Sequence, residues 1–354
     1  YHKHIHEFSA QYPHLKFISS DNVGWNISPP FSRWGKYCDI VTGQVSPDCN
    51  PKAQRIAMIV KLMSDLSGKE AWPALHLESY PGIFSAAEVT AYLSEAARGG
   101  ASGLQLWWAS YLGALSGKGT PFRYDSGHPP RNEAVLQALR RWREDGKIKF
   151  PAPEFAVLVS TDTAWSRSHC NLHRHDHLFT LIGPVLGCSF KYISDLQIED
   201  SDVNLKDYPL ILIADSKIQN RATVASLQAY LDQGGKILSF DPEAFSFHTD
   251  GTLLAQEREK LFRKARFFTE PIKNYSAYDA AFLEKIRQEL NDAGAHFNYP
   301  FWRFTFPAAP EEPPKFTEKC LTGNNGYFWM NQYIHAANNT TKGDSYSYNL
   351  RPDF

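Results

Sequence analysis

The sequence carries almost no net charge: 37 Lys and Arg against 38 Asp and Glu leave −1 over 354 residues, with a pI near 7.0. Binding to nucleic acid or to an anionic membrane surface needs a basic footprint, so neither partner is expected. No apolar run approaches the roughly 18 residues of a membrane span, and no stretch reads as a signal peptide. Cysteine is sparse and odd in number. Cys38, Cys49, Cys170, Cys188 and Cys320 form no CxxC pair, which argues against a zinc ribbon and against a full disulfide framework. No Gly-rich phosphate fingerprint follows any early strand, so nucleotide binding is disfavoured. The chain therefore calls for no cofactor and no metal. Aromatic residues are plentiful at 14%, with nine Trp, which suits sugar-stacking surfaces and an ordinary large core equally.

The chain is organised around residues 72–84, Trp-Pro-Ala-Leu-His-Leu-Glu-Ser-Tyr-Pro-Gly-Ile-Phe. An apolar stretch of strand character runs into one carboxylate, Glu78, and then into a Tyr80-Pro81-Gly82 turn that continues neither strand nor helix. A buried strand end is an expensive place for an acid. The period of two puts His76 and Glu78 on one face. The plainer alternative is a carboxylate solvated by loop water or paired with an arginine.

Around this stretch, strand and helix alternate through the first 145 residues. A helix end at 2–12 is stopped by Pro13, and a strand at 15–19 runs into Ser20, Asp21 and Asn22. A short helix over 31–37 and a strand over 39–44 follow. The next helix, 51–66, opens with Asn50 as cap and Pro51 at its first position, and shows Ile56, Ile59, Val60 and Met63 on one face. Ser85 and Glu88 make a capping-box pattern for a helix to Arg98, closed by Gly99 and Gly100. A strand over 103–108 and a helix over 131–144 complete the pattern. Four such units imply parallel strands with crossover helices.

Polar or aromatic residues mark every strand end: Asp21 and Asn22, Gln44, Glu78, then Trp107 and Trp108. Such convergence suits the catalytic face of a (β/α)8 barrel better than an open doubly wound sheet. A barrel needs eight strands, and four would leave two long unpaired edges. The expectation is the second half of a barrel, strands five to eight over residues 1–150, whose first half lies on a second chain or has been lost.

Pro151-Ala152-Pro153 reads as a linker into a compact doubly wound domain over 151–270. Its expected elements are a strand at 155–160, a helix at 177–186, strands at 191–193 and 210–214, a helix at 220–232 and a strand at 236–240. Residues 271–354 are irregular apart from a helix over 278–293. They include an aromatic-rich run at 301–306 and a Pro/Glu linker at 307–314. The alternation at 326–337 looks like the start of a C-terminal β-domain.

In this order, the quoted segments resemble the β-galactosidases of glycoside hydrolase family 42. They are Leu-Glu-Ser-Tyr-Pro-Gly at 77–82, Gly-Gly-Ala-Ser-Gly-Leu-Gln-Leu-Trp-Trp at 99–108, Tyr-Pro-Leu-Ile-Leu-Ile at 208–213 and Tyr-Leu-Asp-Gln-Gly-Gly at 230–235. The resemblance implies a catalytic barrel, an amidotransferase-like trimerisation domain and a small β-domain. It further implies a retaining glycosidase, with Glu78 as nucleophile, acting on a β-glycoside or oligosaccharide as a homo-oligomer, and a cytoplasmic setting over a secreted one.

Retaining hydrolysis needs two carboxyls about 5–5.5 Å apart. In the family the acid/base carboxylate follows the fourth barrel strand, and no matching Asn-Glu precedes Glu78 here. Glu7, on a helix beside His6, is a poor substitute. The chain alone is therefore expected to be inactive. Trp107 or Trp108 would stack on a sugar face, with His76, Asn22, Gln44 and Tyr80 nearby. Gln105 shares the parity of Trp107, which favours Trp107 inside.

Other features weigh less. His169, Cys170, His173, His175, Asp176 and His177 crowd together, but the spacing matches no zinc pattern and reads as a solvated or interface-facing loop cluster. A Cys-His glutamine hydrolase would need a cysteine just after a mid-sheet strand, where Asp215-Ser216 stands instead. Asn26, Asn274, Asn338 and Asn339 fit a glycosylation pattern that chance also supplies. The competing function is a non-catalytic carbohydrate-binding or assembly subunit that keeps Glu78 as a relic.

Overall fold

The computed structural model describes residues 2–12, 14, 16–22, 30–45, 54–75, 86–106, 129–145, 148–166, 172–267 and 280–307. Four strands form the first sheet: β1 (Ile18–Asn22), β2 (Ile40–Val45), β3 (Glu70–Leu75) and β4 (Gln105–Leu106). All are parallel, and each lies beside its neighbour in sequence. Consecutive order is what successive βα units of a barrel wall produce, whereas a doubly wound sheet reverses direction at a switch point.

The first strand begins at Ile18, three residues later than the apolar pattern suggested. Phe17 is held before the strand instead: its N–H donates to Asp39 Oδ2 at 2.9 Å, and its carbonyl accepts from the N–H of Asp39. Helices Gln54–Ser67, Ala86–Arg98 and Pro129–Asp145 cover one face of the sheet. Ile56, Ile59, Val60 and Met63 are all buried, as their spacing predicted, in one cluster with Val41, Val45, Ala71 and Leu75 of the strands. Two of the helices touch at Gly99, where a Cβ would fall 2.5 Å from the Ala57 carbonyl oxygen. Gly100, at φ +94°, then ends the second helix in the left-handed conformation that glycine adopts readily.

The second sheet contains β5 (Phe155–Val159), β6 (Phe190–Ser194), β7 (Leu210–Ile213), β9 (Lys236–Ser239) and β11 (Arg266–Phe267), in the order β11-β9-β7-β5-β6. Between them in sequence, β8 (Ile218–Gln219) and β10 (Phe247–His248) make a small parallel pair. Renumbered within the sheet, the order is 2-1-3-4-5, that of a flavodoxin-like doubly wound domain.

Alternate residues of its central strands serve two cores. Ala156, Leu158, Ile211 and Ile213 pack with Val224, Leu227 and Leu261. Phe155, Val157, Val159 and Leu212 join the cluster that also holds the first sheet's helices. The two sheets thus share a core through the Gln54–Ser67 helix. At its far end Asp65 Oδ2 accepts the N–H of Tyr192 at 2.9 Å, and the Leu66 carbonyl accepts from Gln197 Nε2 at 3.0 Å.

One helix of the second unit also departs from the sequence reading. The helix expected at 177–186 is Leu172–Thr180, followed by a π turn, Leu181–Val185, that contains Pro184. The His-rich segment is therefore helical from Leu172 on, with His175 and Asp176 buried, where the sequence reading had a loop.

The aromatic run near 301 is a strap across both units. Trp302 is buried; its Nε1 donates to the Cys188 carbonyl at 2.8 Å, and its own carbonyl accepts from Arg98 at 3.1 Å. The Phe306 N–H donates to Ser94 Oγ at 3.0 Å. The alternating stretch at 326–337 lies outside the described residues.

Candidate active site at the carboxyl ends of the first sheet

On β2 and β3 the side chains divide by parity. Val41, Val45, Ala71 and Leu75 enter the core under the helices, leaving Thr42, Gln44 and Ala74 on the opposite face. Thr42 Oγ1 donates to Gln105 Oε1 at 3.1 Å, which places Gln105 on that same face. In register, Asn22 aligns with Gln44, Gln44 with Ala74 and Ala74 with Gln105. One rung of backbone positions, Asn22, Gln44, Ala74 and Gln105, therefore crosses all four strands near their carboxyl ends.

Two of the expected sugar contacts, Asn22 and Gln44, thus share a rung. Gln105 completes it, a residue that sequence reasoning had used only as a parity marker. Its adjacency to Gln44 depended on the register of two crossovers, which no local pattern reveals. His76, Glu78, Tyr80, Trp107 and Trp108 lie outside the described residues, as do Asn26, Asn274, Asn338 and Asn339.

Several carboxylates of this unit are occupied elsewhere. Glu70 and Ser102 meet Trp72 at the amino ends of the strands: Trp72 Nε1 donates to Ser102 Oγ at 3.0 Å, and Ser102 Oγ donates to Glu70 Oε2 at 2.8 Å. Glu95 pairs with Arg98 at 2.5 Å, and burial pushes its carboxyl up against the pull of that guanidinium. Glu7 lies exposed beside Lys3 and His4.

In the second sheet the edge that a doubly wound fold offers to ligands is filled by the chain itself. Thr163 Oγ1 takes the N–H of Ile218 at 2.9 Å and lies 2.8 Å from Ser160 Oγ, beneath the Ile218 carbonyl. After β7 come the buried residues Ala214, Asp215 and Ser216, with no cysteine among them. Cys188 is a buried free thiol pushed up to about 12, first by burial and then by Glu154. Neither place offers a nucleophile for glutamine hydrolysis.

The His-rich segment divides in the same way. His169 and Cys170 lie outside the described residues. His175 is buried and its imidazole is pushed down to about 4, by burial first and the Arg174 charge second. Asp176 pairs with Arg55 of the first unit. Among the described residues no group of three or more His, Cys, Asp or Glu side chains could hold a metal ion.

No family model and no curated protein sequence matches the chain. Its fold does match solved structures. An exo-carrageenase of glycoside hydrolase family 42 from Bacteroides ovatus superposes at a TM-score of 0.57 with 13% identity, covering 82% of this chain and 43% of that one. The β-galactosidase of the haloarchaeon Halorubrum lacusprofundi gives 0.54 and 12%, over 72% of this chain and 41% of its own. That of Rahnella sp. R3 gives 0.51 and 14%, over 70% and 39%. The fold is that of the family 42 β-galactosidases. At these identities the likeness carries the family 42 fold and no more, and the chain spans about two fifths of the length of the structures it matches. No described helix is long and apolar enough to cross a membrane.

Proposed function

We propose that the protein is a retaining glycoside hydrolase acting on β-galactosides or similar β-linked sugars, with Glu78 as nucleophile. The observation that carries this reading is the rung Asn22, Gln44, Ala74 and Gln105 at the carboxyl ends of a family 42 barrel wall. Amides in a row suit sugar hydroxyls, which both donate and accept. By the period of two read from the sequence, His76 and Glu78 would share the parity of Ala74. Trp107, with the parity of Gln105, would serve as a stacking platform.

In the proposed double displacement Glu78 attacks the anomeric carbon. A second carboxyl about 5–5.5 Å away protonates the leaving oxygen and then activates water. That acid/base group comes from further βα units that complete the barrel, within the protein or on a second chain. Support for completion lies at the two edges of the first sheet. Phe8, Tyr12 and Ile18 are 59%, 40% and 42% exposed on the segment that leads through β1, and Leu136 and Leu139 are 46% and 38% exposed on the helix after β4. Exposed apolar side chains on the segment through the edge strand β1 and on the helix after the edge strand β4 suit a wall awaiting neighbours. The doubly wound domain would serve homo-oligomer assembly, as a trimer by analogy with the family.

The test is hydrolysis of a panel of nitrophenyl β-glycosides by the protein and by Glu78→Gln. Cleavage of the β-galactoside that disappears in Glu78→Gln supports the reading. A folded protein with its barrel completed that binds galactosides without cleaving any of them makes it a carbohydrate-binding or assembly subunit instead.

A further inference from the structure

Thr42 lies within β2 and is 1% exposed, so its hydroxyl is cut off from water and needs a partner inside the protein. It finds one two strands away. Thr42 Oγ1 donates to Gln105 Oε1 at 3.1 Å, across β3, where Ala74 stands level with Gln105. Gln105 itself is exposed. One atom of its amide is therefore held by the sheet while the residue stays open to solvent at the rung it shares with Asn22, Gln44 and Ala74.

An amide can address a sugar hydroxyl in two ways, because its carbonyl accepts and its NH2 group donates. A hydroxyl can meet either, so an unanchored glutamine fixes neither the direction of the bond nor its own rotamer. Its side chain must then be ordered when substrate binds, at a cost of about 0.5–1.5 kcal/mol. With Oε1 engaged by Thr42, that ordering is already in place, and the hydrogens left to offer belong to Nε2.

We propose that Thr42 is a positioning residue for the substrate. By holding Oε1 of Gln105 it makes Nε2 the group that Gln105 presents, a donor to a hydroxyl oxygen of the sugar. Thr42 itself touches no substrate in this arrangement. The inference rests on the glycosidase reading and adds to it the direction in which one substrate hydroxyl is bound.

Two variants of the intact protein, with its barrel completed, test it. Thr42→Val removes the hydroxyl and keeps the branched shape, and the freed oxygen of the exposed Gln105 is met by water. Thr42→Ser keeps the hydroxyl. On nitrophenyl β-galactosides Thr42→Val should raise KM on the order of 10-fold, the worth of one hydrogen bond. Its kcat should match the parent, the pattern of binding lost equally from substrate and transition state. Thr42→Ser should restore the parent KM. In protein with isotope-labelled glutamine and no substrate, the NMR signal of the Gln105 side-chain amide should report one fixed rotamer in the parent and in Thr42→Ser, and averaging in Thr42→Val. An unchanged KM in Thr42→Val, an equal rise in Thr42→Ser, or an amide as fixed in Thr42→Val as in the parent overturns the proposal.

The direction of the bond is read from direct binding of deoxy and deoxyfluoro galactosides to the parent and to Gln105→Ala. At the hydroxyl that Gln105 meets, fluorine still accepts, so its substitution should weaken binding less than that of hydrogen, and Gln105→Ala should erase the difference. Equal losses at every position overturn the assignment of Nε2 as donor. Absence of hydrolysis by the unaltered protein removes the glycosidase reading alone, and the amide signal still decides whether Thr42 holds Gln105.

Discussion

Thr42 of β2 and Gln105 of β4 are hydrogen-bonded at 3.1 Å although β3 runs between their strands. The bond runs diagonally across β3, since Thr42 is level with Trp72 and Gln105 with the small residue Ala74. A larger residue there would break the contact and fill the space above the rung. Ala74→Leu should cost about 1–3 kcal/mol through overpacking and abolish galactoside hydrolysis. Gln105→Ala should cost only about 1 kcal/mol and raise KM. Urea unfolding and steady-state kinetics on the same preparations check both.

Trp302 pins the strap to both units, against Gly183 and under Arg98. Trp302→Ala should cost about 3–5 kcal/mol, the usual range for emptying a buried aromatic site. Gly183→Ala should also destabilise, since its Cβ would fall 2.7 Å from the Trp302 ring. If thermal unfolding of Trp302→Ala matches the parent, the strap is a passive covering.

His175 and Asp195 are buried groups of opposite sense. His175 is pushed down to about 4, mainly by burial, so the unfolded chain takes up its proton first as pH falls from its ordinary 6.5, and stability is lost toward 4. Asp195 is pushed up to about 6, again mainly by burial. Its contribution is fully present below its ordinary 3.8 and is lost as pH rises through 6. The two contributions, each about 3 kcal/mol, run against one another over the same window. Asp195→Asn should therefore leave a protein that weakens more steeply in acid than the parent, and His175→Gln one that weakens more steeply toward neutrality. Denaturant unfolding at about pH 4.5 and about pH 6.5 measures this, and parallel pH profiles for the two variants would sink the assignment.

Cys188, with its thiol pushed up to about 12 by burial and Glu154, should resist alkylation in the native protein and react once unfolded. Peptide mass mapping after iodoacetamide treatment distinguishes the two states. Rapid native labelling at Cys188 would mean that the strap over its carbonyl opens readily.

Much of the scaffold was legible in the residues. The spacing of Ile56, Ile59, Val60 and Met63 gave the buried face of a helix, and the continuous apolar run of β7 gave a central parallel strand. What local pattern could not carry was contact between distant segments. Gln105 reaches the rung through register across two crossovers. Arg55 and Asp176, 121 residues apart, meet only because the two sheets share a core. The helix at 172–180 was hidden for a related reason: its polar residues are buried against partners that lie elsewhere in the chain.

The most direct test of the central claim is covalent trapping. The protein is incubated with an activated 2-deoxy-2-fluoro-β-galactoside, which forms the glycosyl-enzyme but releases it slowly, and is then digested for peptide mass mapping. The account predicts one added fluorogalactosyl group on the peptide containing Glu78, absent in Glu78→Gln. Turnover of galactosides with the label on a different carboxylate, or with none at all, would contradict it.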